Sequence, residues 1–207
     1  MNTEAHQKDD AMTRLKIFLI CFAFCTFVLF SSRGTARQNP PSTAAPPAEG
    51  DGSHDFDPLL GSWKYHLRRR LNPLTGSKTW VEFDGTGICR KIYDGAQIDQ
   101  IFVDGPAGHI EGLTLRTYNP ESNQWRLYWA NKRVGIVDPP QVGEFKNGRG
   151  EFFAQDTING KTIFIRFEWT NMNTTPHFEQ SFSNDGGRTW EVNWITDQTR
   201  DASEKPH

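Results

Sequence analysis

Cysteine is scarce in this 207-residue chain: Cys21, Cys25 and Cys89 are all there is. The first two lie in an apolar stretch near the start, so Cys89 stands alone in the remainder and no disulfide is expected to staple it. Nothing beside Cys89 marks an activated thiolate, and it is expected to pack in a strand. Long hydrophobic runs are absent too. The longest, Ile17 to Phe30, has 14 residues, about 21 Å as a helix at ~1.5 Å per residue and short of a ~30 Å hydrocarbon core. Neither sign of charge dominates: the formal net charge is −2, and −3 once residues 1–36 are set aside. No basic patch points to a nucleic-acid partner, and none is expected. Gly-x-Ser-x-Gly, Walker A and dinucleotide fingerprints are missing. No two histidines have metal-ligand spacing, so no metal site is expected.

What is present falls into three parts. Arg14 and Lys16 precede the apolar run, and Ser31 to Ala36 follow it with small residues at Gly34 and Ala36. That order predicts a signal peptide over residues 1–36, cut after Ala36. The acidic start MNTEAHQKDDA is unusual for such a segment. We take as a hypothesis that Met12 is the initiator, and N-terminal mapping of a precursor beginning at Met1 would refute it. Phe18-Leu19-Ile20-Cys21 lacks the small residue of a lipidation box. The alternative is an uncleaved anchor, in which residues 15–30 are the only membrane contact. The protein is accordingly expected to be exported, periplasmic or secreted, or else anchored facing the periplasm. Residues 37–55 are rich in Pro, Ala, Ser and Gly and read as a disordered tether. Residues 56–200, about 145 in number, suffice for one core. Residues 201–207 read as a disordered tail.

From Phe56 onward short runs rich in Trp, Tyr, Phe, Ile, Val and Thr alternate with Gly, Pro, Asn and Asp. The runs predict strands at Trp63 to Leu71, Thr79 to Asp84, Ile88 to Tyr93, Gln97 to Val103, Ile110 to Tyr118, Trp125 to Asn131, Val142 to Phe145, Glu151 to Thr157, Thr162 to Thr170, His177 to Ser183 and Thr189 to Thr196. Gly85-Thr86-Gly87 reads as a turn making a hairpin of the second and third. A helix fits only as one short turn at Phe56 to Gly61. Period-two alternation places Trp125, Leu127 and Trp129 on one face, Ile163, Ile165, Phe167 and Trp169 on another, and Trp190, Val192 and Trp194 on a third. The expected fold is an all-β, antiparallel up-and-down meander of about ten strands. A meander this long hides its edges by closing into a barrel; a sandwich is the alternative.

One stretch looks catalytic and is not. Ser183-Asn184-Asp185-Gly186-Gly187-Arg188-Thr189-Trp190 fits the Asp-box that recurs once per blade in sialidase-type propellers. A propeller needs several repeats of about 40–50 residues, and only one copy is present, with no internal repeat. The pattern instead describes a self-stabilised hairpin corner. Ser183 and Asp185 bond backbone N–H groups, Gly186 and Gly187 take positive φ, and Trp190 packs beside the turn.

Leu60-Gly61-Ser62-Trp63 carries Gly-x-Trp on the first strand, which is similar to the lipocalin/calycin signature. The resemblance implies that Gly61 and Trp63 close the barrel floor and that a late basic residue packs over the Trp. Arg200 is the first candidate, ahead of Arg70 and Lys64. A wider set occurs in order: Leu59 to Trp63, Thr79 to Phe83, Tyr118-Asn119-Pro120, Trp129-Ala130-Asn131, Gly143-Glu144-Phe145 and Ser183 to Trp190. Together these resemble an uncharacterised bacterial family of calycin/lipocalin-like β-barrels, a domain of unknown function, over residues 56–200. The resemblance implies the fold and no established activity.

The candidate site follows from aromatics beside charges. Trp129, Asn131 and Arg133 cluster at one strand end, Glu144 lies in the next strand, and Glu168 and Glu179 sit among Phe167, Trp194 and their neighbours. If Glu144 and Arg133 point inward they fix the polar end of a ligand in an aromatic cavity; otherwise these charges pair outside. The expected partner is a small apolar or amphipathic molecule. A barrel enzyme of isomerase or hydrolase type is one alternative, and an envelope interaction protein with a filled core is another. No cofactor is expected. Haem is the alternative, with His66 or His177 as axial ligand. Arg68-Arg69-Arg70 reads as a charged, exposed edge. Asn173-Thr174-Thr175, a glycosylation sequon, reads as loop.

Overall fold

The computed structural model describes residues 51–203. The expected signal peptide, its Met12 start, residues 37–50 of the expected tether and residues 204–207 lie outside the described residues. Ten antiparallel strands follow one short 3-10 turn at Asp57–Leu59. They are β1 (Gly61–Arg70), β2 (Trp80–Tyr93), β3 (Ala96–Gly105), β4 (Gly108–Asn119), β5 (Gln124–Asn131), β6 (Gln141–Lys146), β7 (Arg149–Ile158), β8 (Lys161–Thr170), β9 (His177–Ser183) and β10 (Glu191–Arg200). Each pairs with its sequence neighbours, and β10 returns to β1, so the meander closes into a barrel. Asn147-Gly148 and Asn159-Gly160 hold positive φ at both positions, the two-residue turn whose twist matches flanking strands.

Closure changes the meaning of the arginine run. β1 pairs with β2 and β10 along its length, so Arg68, Arg69 and Arg70 are not on an edge. Arg70 is engaged by Glu191 at 3.3 Å and stacks on Trp80. Gly85-Thr86-Gly87 is not a turn either. β2 runs unbroken through it, and these glycines are where chains approach closely. A Cβ at Gly85 would lie 2.0 Å from the Phe102 carbonyl oxygen, and one at Gly87 2.5 Å from the Tyr65 ring. Glycine inside a strand marks such an approach as readily as a turn.

The two ends of the barrel differ. At one end Phe56 is fully buried and meets Trp125, Phe145, Phe152 and Trp169 at ring separations of 5.0 to 5.9 Å. Trp63 lies beside it with its indole N–H donated to the Leu59 carbonyl at 2.6 Å. The Arg200 guanidinium sits 3.9 Å from the Trp63 ring centroid and donates to the carbonyls of Leu60 and Pro58. Gly61 has φ of 112°, and a Cβ there would meet Arg200 at 2.8 Å, so the glycine of Gly-x-Trp makes room for this cap. Arg200 is the last residue of β10, whose strand runs four residues past Thr196. The chain is tied down before Phe56 as well. Trp125 donates its indole N–H to the Gly52 carbonyl at 2.9 Å, so residues 51–55 belong to the barrel and not to a tether. The same holds beyond Arg200, where the Asp201 N–H donates to the Ser62 carbonyl at 3.0 Å.

The Ser183 to Trp190 corner is a turn. Asp185 accepts from the backbone N–H groups of Arg188 and Thr189, both at 3.0 Å, and Ser183 accepts from that of Gly187 at 2.8 Å. Gly186 and Gly187 have φ of 78° and 84°. The hydroxyl of Thr189, first among these bonds, holds the Asp185 carboxyl well below the usual carboxylate range. Trp190 packs against Phe153 and under Arg166 on the outer surface. Trp194 lies inside. The alternation expected through Trp190, Val192 and Trp194 fails because the register shifts between Val192 and Trp194, inserting Asn193 as an extra residue. A bulge of this kind turns later side chains to the other face.

Candidate functional site

Above the aromatic floor the barrel is hollow. A cavity of about 250 Å³ opens toward the loops between β1 and β2, β5 and β6, and β7 and β8. Its apolar wall includes Ile101, Leu127, Trp129, Ile165, Phe167 and Phe178. Its polar wall is a row across neighbouring strands. Arg116 and Gln141 both pair in register with Leu127 between them. Tyr65 pairs with Gln198 on the other side.

The centre of that wall is a buried ion pair. Arg116, 1% exposed, donates to Asp99, 7% exposed, at 2.7 Å. Tyr65 donates to the second Asp99 oxygen at 3.0 Å. The Arg116 plane stacks on Phe56 and Trp169, 4.9 and 5.3 Å from the ring centroids. Burial disfavours its charge, but Asp99, Cys89 and Tyr65 outweigh this and hold Arg116 above the ordinary arginine value. Burial, with Asp99 beside it, drives the Tyr65 hydroxyl well above the usual phenol range. Cys89 lies against this group, its thiol pushed up to about 12 mainly by burial. It is an inert strand residue in this setting.

The hydrogen-bonding account of the wall does not close. Among the described residues six buried side-chain polar atoms have no partner. Five of them, Arg70 Nε, Arg116 Nε, Trp169 Nε1, Gln141 Oε1 and Gln198 Oε1, are on residues lining this one cavity. Three need an acceptor and two need a donor. A buried group left unpaired costs about 1–3 kcal/mol, and five of the six fall on residues around this one cavity.

A second cavity of about 480 Å³ lies at the rim, lined by Leu71, Val81, Phe83 and Ile110 with Asn131 and Arg133. Arg69, Trp129 and Trp194 line both cavities and separate them. The Trp129 and Trp194 rings meet edge to face at 6.1 Å, and the Arg69 guanidinium lies 5.5 Å from the Trp194 centroid.

The residues expected at a site from sequence therefore divide. Trp129, Phe167 and Trp194 line the inner cavity; Asn131 and Arg133 reach only the rim, with Trp129 and Trp194. The Asn131 side chain is engaged by the backbone N–H groups of Arg133 and Val134. Glu144, Glu168 and Glu179 point outward and anchor nothing inside. Glu144 pairs with Lys146, Glu168 with Arg149 and Glu179 with His177. Their strands alternate, and the inward positions beside them go to Gly143, Phe145, Phe167, Trp169, Phe178 and Gln180. Neither histidine considered for haem faces the cavity. His66 pairs with Asp84, and His177 with Asp197 and Glu179. Sequence reasoning missed Tyr65, Asp99, Arg116, Gln141 and Gln198. Alternation misleads for Arg116, because Leu113 and Leu115 on the same strand face outward.

These features define a closed ten-strand antiparallel barrel with a capped floor and a hollow, partly polar upper half. Among solved structures the chain is similar to Rv2717c from M. tuberculosis, at 11% identity and a TM-score of 0.50, covering 73% of this chain and 98% of that one. It also matches the S-type phycobiliprotein lyase CPES from Guillardia theta at 11% identity and a TM-score of 0.48, covering 72% and 92%. A third match is EF1p2_mFAP2b bound to DFHBI, at 10% identity and a TM-score of 0.41, covering 72% and 99%. Likeness at these identities is likeness of fold. No family model and no curated protein matches the sequence.

Proposed function

We propose that the barrel binds a small amphipathic molecule in its inner cavity. The observation that carries this reading is one aromatic-lined cavity whose lining residues include five with an unpartnered buried polar atom. The volume, about 250 Å³, exceeds the ~150 Å³ apolar cavity that accepts benzene. It suits a molecule of one or two rings. The part of the ligand that meets Arg116 and Asp99 is uncharged, because those two already neutralise each other. It carries a hydrogen-bond acceptor for Trp169 or Arg116 and a donor for Gln141 or Gln198.

Binding is favoured over catalysis at the buried polar wall because Arg116, Asp99 and Tyr65 hold one another, while Asp138 and Asp156 also line the cavity outside that group. Asp99 accepts from both Arg116 and Tyr65 and is not free to take a proton from a substrate. Export by the N-terminal segment and membership of the bacterial calycin-like family belong to the same reading and rest on sequence pattern.

The test is native mass spectrometry of residues 37–207 purified from the producing host, alongside Ala154→Phe, which places a ring in the cavity. A co-purifying mass released on denaturation and absent from the folded variant is expected. A bare protein mass, unchanged after exposure to metabolite and lipid extracts, would sink the reading.

A further inference from the structure

The rim cavity carries an imbalance of charge that the inner cavity does not. Four cationic side chains line it: Arg69, Arg133, Lys132 and His109. Two of them are already engaged. Lys132 and His109 both contact Glu111, at 2.9 Å each, and His109 also contacts Asp104. Arg69 and Arg133 have no carboxylate partner among the described residues, yet they face the same cavity. Arg69 and Arg133 are both exposed, and partial desolvation with the neighbouring Arg133 lowers the Arg69 pKa from the ordinary arginine value. Two uncompensated guanidiniums beside each other repel, and an anion between them would relieve that repulsion.

The cavity floor is apolar and aromatic. Trp129 and Trp194 meet edge to face beneath the arginines, and Phe83 and Leu71 form the side. A ring laid on the tryptophans would bring a substituent anion to the guanidinium of Arg69, which already stacks on Trp194.

We propose that this rim cavity is a second site, selective for an aromatic or aliphatic organic anion, with its apolar part on Trp129 and Trp194 and its carboxylate, sulfonate or phosphate between Arg69 and Arg133. The inference extends the reading of the barrel as a small-molecule binder, since the two cavities share Arg69, Trp129 and Trp194 as a common wall. The wall places an anionic group outside and leaves uncharged groups to the inner chamber.

The experiment compares two fluorescent probes that differ by one charge, anilinonaphthalene sulfonate and N-phenylnaphthylamine. Each is titrated into the parent protein and into Arg69→Gln/Arg133→Gln at low and high salt. The double substitution is expected to weaken the sulfonate about tenfold or more relative to the neutral amine, the size of one charge-assisted contact. The parent's preference for the sulfonate should shrink as salt rises. Arg69→Lys/Arg133→Lys should retain most of it, which separates lost charge from a displaced Trp194. Equal effects on the two probes, or none on either, would overturn the anion site while leaving the barrel reading intact. Failure of the parent to bind either probe would remove the rim site, and the native mass spectrum decides the inner cavity separately.

Discussion

Replacing Arg116 with methionine keeps most of the side-chain volume and removes the charge that Asp99 faces. Arg116 and Asp99 are 1% and 7% exposed, so solvent cannot take the place of the lost partner. Asp99 would retain one hydrogen bond, from Tyr65. Breaking one side of such a buried pair costs about 3–5 kcal/mol, whereas replacing both sides is often neutral. The chain also loses the stacking of Arg116 on Phe56 and Trp169. For a domain of this size each kcal/mol moves Tm by roughly 2–4 °C. Arg116→Met should therefore lower Tm by about 6–20 °C, and Arg116→Met/Asp99→Asn should recover most of that. Urea unfolding of the parent, both single variants and the double variant gives the coupling energy directly. A single-variant cost below about 1 kcal/mol, or a double variant as unstable as the sum of the singles, would show that the ion pair is not the keystone of the polar wall described above.

Three other outcomes follow from the same contacts. Phe56→Ala empties the centre of the floor and should cost about 3–5 kcal/mol by chemical denaturation; a smaller loss would mean that the 3-10 turn is not what seals that end. Asp185 has a depressed folded-state pKa, so its contribution is present above the unfolded carboxylate value and fades as pH falls through the lower folded value. Asp185→Ala should accordingly lower Tm at neutral pH, with the gap to the parent closing in strong acid. His177 is raised because its bonds to Asp197 and Glu179 outweigh burial, and His109 because Asp104 and Glu111 hold it. Their stabilisation is complete below the unfolded value of about 6.5 and is lost as pH rises through the higher folded values. Proton NMR should find both titrating above an ordinary histidine; values at or below it would contradict the contacts.

The meander was legible because the signals for it are local. Turn residues at Asn119 to Asn123, Asn159-Gly160 and Asn184 to Gly187 punctuate runs with a period of two, and each hairpin needs only its own neighbours. The strand faces were legible on β5 and β8, where the inward side is uniformly apolar. They were not legible where the barrel inverts that rule. On β4 the inward set includes Thr114 and Arg116, while Leu113 and Leu115 lie outside. The bulge at Asn193 leaves no mark in composition, yet it moves Trp194 from the outer face to the cavity. Gly85 and Gly87 look like a turn, and only the neighbouring strand and the Tyr65 ring show that they are points of close approach. Glu144, Glu168 and Glu179 have the residue type of a polar anchor but sit on the outward phase of their strands.

The division of the barrel into a filled half and a hollow half has a consequence for how it can vary. The floor is fixed by aromatic rings packed on Phe56 and by the Arg200 cap on Trp63, and substitutions there act on folding. In the upper wall Gln141 and Gln198 each have a buried polar atom without a partner in the protein. A leucine of similar size has no such group to satisfy. Replacing Gln141 with leucine should therefore leave stability unchanged or raise it, while weakening whatever the cavity holds. That opposition, measured as Tm on one side and retained ligand mass on the other, distinguishes a wall shaped for binding from one shaped for folding. Loss of stability with no loss of ligand would place Gln141 with the floor instead.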